Sequence, residues 1–220
     1  MLYAFPQGAM FGKVLPKNKV YEHTSPSARI KNLFVAQVEQ IVWQYKLAPE
    51  TCNLQATPAV PEIQVFSITL KGEELAWDVL RCIDQAVPSP LLFELHREQE
   101  VQVAAAYKRK NEADSSKWVL GDYFASPWLP TTTPRSALPL GLTLEGLYAY
   151  LLQQLLPYPA LHNETLQKHM ERVESIRALE RERERIEVRL NKEKQFNRKV
   201  ELNQALAGIY EQLEKYGKKK

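Results

Sequence analysis

Apolar side chains at Ile30, Leu33, Phe34, Val38, Ile41, Val42 and Tyr45 recur with the 3.6-residue period, which predicts a core-facing helix over 26–46. Ser25-Pro26 reads as its N-cap and first helical residue. Residues 1–23 show no period, and Pro6, Gly8, Gly12 and Pro16 suggest an irregular arm. Ile63 to Lys71 is β-rich, with Phe66, Ile68 and Leu70 on one face and Ile63 and Val65 on the other, so a central strand is expected. Leu75, Val79, Leu80, Ile83 and Val87 mark a helix over 73–86, stopped by Pro88-Ser-Pro90. Leu91–Leu95 and the alternating Val101, Val103, Ala105 and Tyr107 predict two further strands joined by a tight loop at 97–100. The strand–helix–strand stretch 63–95 implies a right-handed parallel crossover, and the next strand should run antiparallel. Trp118–Leu120 suits a short edge strand, 126–139 a proline-rich surface loop, and Thr143 the cap of a helix burying Leu144, Leu147, Tyr148, Leu151, Leu152 and Leu155.

The pattern changes after Pro157-Tyr-Pro159. All 14 prolines precede residue 160, whereas residues 161–220 carry 15 Lys/Arg and 11 Asp/Glu, a net of +4. Such a segment suits a long helix or coiled coil. The expected architecture is an α/β (α+β) mixed-sheet domain over 1–160 with a C-terminal long-helix or antiparallel coiled-coil extension over 161–220. Ile176, Leu179, Ile186 and Leu190 follow one heptad frame, with Arg183 at its polar position, while Leu202, Leu206, Ile209 and Leu213 follow another two residues out of phase. The phase break argues for a turn between 191 and 199; the lack of Gly and Pro there argues for continuity, and both stay open. Isolated charged helices are marginal in water, so these eight apolar residues should meet a partner, internal or external.

Chemistry is sparse. Gly8 to Lys13 has three residues between its glycines where a phosphate loop has four, with Val14 where such a loop needs Ser or Thr. The four histidines have no metal-ligand spacing, two cysteines make no disulfide framework, and neither a metal nor a cofactor is expected. Thr69-Leu70-Lys71 resembles the Glu-x-Lys strand end of metal-dependent nucleases with threonine in place of the acid, leaving Lys71 and Glu62 as the candidate catalytic pair. Arg177, Arg181, Arg185 and Arg189, continued by Lys192 and Arg198, form a basic stripe for a phosphate backbone, although the interleaved Glu180, Glu182, Glu184 and Glu187 should neutralise part of it. No apolar run reaches the length of a membrane span and no export leader is evident, so a cytoplasmic protein is expected.

Phe5-Pro6, Pro16-Lys17, Trp43–Leu47, Ile83-Asp84 before Pro88-x-Pro90, Ala106-Tyr107-Lys108 and above all Glu193–Asn203 resemble a bacterial domain-of-unknown-function family, number forty-three ninety-one. Members look like small proteins encoded beside helicases and DNA methyltransferases in restriction-modification or phage-defence clusters. The resemblance implies a non-catalytic accessory subunit docking on a helicase or methyltransferase, or associating with itself, through the C-terminal helices. A nuclease, active or degenerate, and a DNA-binding module are the alternatives.

Overall fold

The computed structural model describes residues 2–114, 117–139 and 143–218. Contacts divide the chain into two units between Leu155 and Leu156.

The first unit opens with β1 (Tyr3–Ala4), a 3-10 turn at Gln7–Ala9, β2 (Met10–Val14) and α1 (Lys17–Thr24), where an irregular arm was expected. The partners of these short strands are distant in sequence: β2 pairs with residues 42–45, and Tyr3 pairs with Ser136. No local period reveals such pairings. The glycine-rich stretch runs from that 3-10 turn into a bulged strand, with Gly12 at φ 62° where the register of β2 shifts. Ser25, expected as an N-cap, ends α1 in the left-handed conformation, and Ser27 caps the next helix by accepting from Ile30 N.

The expected helix 26–46 is two elements, α2 (Ala28–Gln37) and β3 (Val38–Leu47). Ile30, Leu33 and Phe34 keep the helical face. From Val38 onward the β-branched and aromatic residues Val38, Ile41, Val42, Trp43 and Tyr45 instead fill a strand, antiparallel to β4 (Ile63–Leu70). The short α3 (Pro49–Cys52) lies between them in sequence.

β4 is central, parallel to β5 (Leu91–Arg97) through the crossover helix α4 (Trp77–Ala86). β6 (Glu100–Lys110) and β7 (Trp118–Ala125) continue antiparallel, giving the order β2-β3-β4-β5-β6-β7. β7 is longer than the edge strand expected at 118–120. Within the 126–139 loop, β8 (Leu129–Pro130) pairs with β6 and β9 (Ser136–Ala137) with β1. Arg135 fastens this loop by gripping the buried Glu94 carboxylate with both terminal nitrogens (2.6 and 2.9 Å) and donating to Tyr3 O.

Phe34, Val38, Ile41, Phe66, Ile68, Val79, Leu80, Ile83, Phe93 and Leu95 belong to one buried cluster. Val65 and Ile63, on the other face of β4, are buried as well, so both faces of the sheet are covered. Thr143 caps α5 (Leu144–Gln153) as expected, accepting from Gly146 N, and Leu144, Leu147, Tyr148, Leu151 and Leu152 are buried, whereas Leu155, expected on the same face, lies beyond the helix end and is half-buried.

The second unit is a helical hairpin of α6 (Leu166–Lys192) and α7 (Phe196–Lys218). Thr165 caps α6 by accepting from Lys168 N. Among the described residues, no helix is long and apolar enough to cross a membrane.

Candidate functional site

The two out-of-phase frames belong to two helices that pack on one another. Ile186, Leu206 and Ile209 form the buried centre of the hairpin, with Leu179, Leu190, Leu202 and Leu213 around them, and Ile176 is buried one helical turn upstream of Leu179. The apolar surface that the sequence assigned to a partner is therefore largely met within the chain. Arg183, at the polar seam position, lies 3.7 Å from Glu187, whose carboxylate also accepts from the Tyr210 hydroxyl at 3.0 Å.

The turn needs neither glycine nor proline because a side chain closes it. Glu193 takes an extended backbone (φ −74°, ψ 137°), and its Oε1 accepts from the amides of Lys194 and Gln195 at 2.7 and 2.8 Å. Those donors would otherwise be unpaired at the start of α7. The same two bonds hold the Glu193 carboxyl below the usual carboxylate range.

At the other end, Arg172 clamps both oxygens of Glu164 at 2.8 Å and donates to Pro159 O. This bond drives the Glu164 pKa down to about 2. His169 is fully buried with Nε2 2.7 Å from Tyr158 O. The Tyr158 hydroxyl donates to Glu180 at 2.6 Å; burial and that carboxylate push the phenol up to about 12.

These contacts change the electrostatics of α6. Glu180 and Glu187, two of the four acids expected to neutralise the arginines, are held by Tyr158 and by Arg183 and Tyr210. Arg181, Arg185, Arg189 and Lys192 are exposed, and among the described residues none of the four forms an ion pair. They turn away from the Leu179–Ile186–Leu190 seam. From Arg181 to Lys192 the row runs about 16 Å along the helix. Glu182 and Glu184 stay exposed beside it, Arg177 is half-buried and already engaged, and Arg198 lies 3.9 Å from Glu193.

The nuclease-like pair does not assemble. Glu62 precedes β4 and Lys71 follows it, so a whole strand of about 30 Å separates them. Lys71 Nζ donates to Val35 O at 2.7 Å. Glu62 is shared by Lys46 (3.0 Å), Ser89 (2.9 Å) and Gln64. Among the described residues, no group of three His, Cys, Asp or Glu is placed to hold a metal ion.

One polar cluster escaped the sequence reading. Asp84 of α4 and Lys108 of β6 are buried and 3.2 Å apart. Lys108 Nζ also donates to the carbonyls of Asp84 and Val87, capping the end of α4, while Tyr123 donates its hydroxyl to the other Asp84 oxygen. Past Ala104, the last β6 residue in register with β5, the Tyr148 hydroxyl donates to Ala106 O (2.9 Å) and accepts from Lys108 N (2.8 Å). Burial pushes the Lys108 pKa down and the Asp84 pKa up. A cleft of about 520 Å³ opens here between His23, Lys117 and Trp118. Every polar atom of the pair is already engaged within the fold, so it reads as a fastener of helix to sheet. Its sequence signal was available: Asp84 falls one turn after Leu80 on an apolar face, and Lys108 alternates with Ala104 and Ala106.

A family model described as Domain of unknown function (DUF4391) matches residues 4–213. The chain belongs to that family. The DUF4391 match spans both units, so the hairpin is part of the family's own segment. Ile83-Asp84 and Ala106-Tyr107-Lys108, on which the sequence resemblance rested, meet in the Asp84–Lys108 contact. No curated protein and no solved structure matches the chain.

Proposed function

We propose that this DUF4391 protein is a non-catalytic interaction subunit that holds nucleic acid along the face of α6 turned away from the hairpin seam. The observation that carries this reading is the row Arg181, Arg185, Arg189 and Lys192, exposed and without acidic partners while two nearby glutamates are engaged elsewhere. A duplex segment of that length presents about five phosphates on each strand, a density that a row of guanidinium groups matches. The saturated Asp84–Lys108 cluster and the separation of Glu62 from Lys71 favour binding over catalysis. Fluorescence anisotropy with a labelled duplex tests the proposal. Replacing Arg181, Arg185 and Arg189 with Glu should abolish binding without loss of helical circular dichroism, and undiminished affinity would overturn it.

A second reading, protein docking, draws on a different surface. Edge strand β2 exposes Met10, Phe11 and Val14, and an uncovered edge can accept a further strand from a partner. The helicase or methyltransferase implied by the family resemblance would attach there, with the hairpin left free for nucleic acid. Met10→Lys with Val14→Lys should break such a complex while sparing duplex affinity. A complex of unchanged strength would refute this second reading.

A further inference from the structure

Phe196 is the most exposed large apolar residue of those described, at 78%, and it opens α7 directly after the Glu193–Gln195 turn. It lies outside both heptad frames, and Val200, one helical turn further, is 40% exposed. Residues 188–200 hold five cations (Arg189, Lys192, Lys194, Arg198 and Lys199) against one acid, Glu193. The carboxylate of that acid is occupied by the two turn amides. The end of the hairpin thus combines an uncovered aromatic ring with a net charge of +4, continuous in sequence with the α6 row.

We infer that the hairpin end binds unpaired nucleic-acid bases, with Phe196 stacking on a base and Lys192, Lys194 and Lys199 holding the adjoining phosphates. Aromatic platforms flanked by cations are the arrangement by which proteins hold single strands without reading sequence. An anionic lipid surface would attract the same cations, but within residues 189–200 it would find only Phe196 and Val200 as exposed large apolar side chains to insert. A strand leaving a duplex uses both sites: the paired segment along α6 and the first open base at the turn. This inference rests on the α6 reading and specifies its substrate as a junction between paired and unpaired strands.

Binding of the full chain to a labelled oligothymidine single strand and to a blunt duplex of equal length tests it. Phe196→Ala should weaken single-strand binding by roughly 5- to 150-fold, which corresponds to about 1–3 kcal/mol for one stacked base. Its duplex affinity should stay unchanged, and Phe196→Trp should retain single-strand affinity. Because Phe196 is exposed, both variants should keep the wild-type circular dichroism. Single-strand affinity unchanged in Phe196→Ala would overturn the inference. A wild-type protein that binds the duplex but not the single strand would overturn it too and leave the α6 proposal standing, whereas binding to neither would remove both. Flotation with phosphatidylglycerol vesicles that depends on Phe196, with single-strand affinity unaffected, would assign the site to lipid and refute the inference.

Discussion

Replacing Lys108 with methionine should destabilise the first unit more than any surface change. The substitution keeps most of the side-chain volume and removes an ammonium that donates to Asp84 O, Val87 O and, at 3.2 Å, an Asp84 carboxylate oxygen. The side chains of Lys108 and Asp84 are 2% and 1% exposed, so water cannot replace the lost donor. Breaking one partner of a buried ion pair costs about 3–5 kcal/mol, a large part of the ~5–15 kcal/mol that typically holds a domain folded. With a urea dependence of about 2 kcal/mol per molar, the midpoint should fall by roughly 1.5–2.5 M. All four tryptophans (Trp43, Trp77, Trp118 and Trp128) lie in the first unit, so tryptophan fluorescence follows its unfolding alone. Adding Asp84→Asn should recover about half of the loss, because the amide oxygen still accepts from Tyr123 and no charge is left buried. A midpoint shift under about 0.5 M, or a double variant no more stable than Lys108→Met, would refute the reasoning.

Two further outcomes follow from the hairpin. Leu206→Asp with Ile209→Asp places two charges in its centre and should abolish much of the helical circular dichroism of α6 and α7 while the tryptophan transition persists; an unchanged spectrum would contradict the intramolecular seam. The Glu164–Arg172 clamp should also give the hairpin a pH dependence. The folded pKa of Glu164, about 2, lies below an unfolded value of about 4.3, so its stabilisation is fully present above pH ~4.3 and is lost as pH falls toward 2. With the two side chains only 10% and 9% exposed, the effect is about 2–3 kcal/mol. Arg172→Gln should flatten this acid limb in pH-dependent thermal melts of the helical signal, and an identical profile in wild type and variant would refute the assignment.

The parts of the fold that were legible in the sequence are those whose pattern is local. The crossover β4–α4–β5, the β5–β6 hairpin and the capped α5 each carry their own period and punctuation. Residues 38–46 were misread because Val38, Ile41, Val42 and Tyr45 fit a helical period as well as a strand, and no glycine or proline marks the change at Gln37–Val38. β-branched and aromatic enrichment was the better guide there. Strands β1 and β2 escaped because their partners lie far along the chain. In the hairpin the heptad phase break was a truer signal than the missing turn residues, since Glu193 supplies through its carboxylate what glycine or proline supplies elsewhere. The arginine stripe was visible from spacing alone. That Glu180 and Glu187 hydrogen-bond away from it was not, because their partners Tyr158 and Tyr210 lie 22 and 23 residues away.

The salt dependence of duplex binding tests the central claim most directly. The four cations of the Arg181–Lys192 row predict a slope of log K against log salt of about −3.6, and Arg181→Gln with Arg185→Gln should reduce it to about −1.8. A slope near zero, or one that the double substitution leaves unchanged, would contradict a phosphate-binding face on α6.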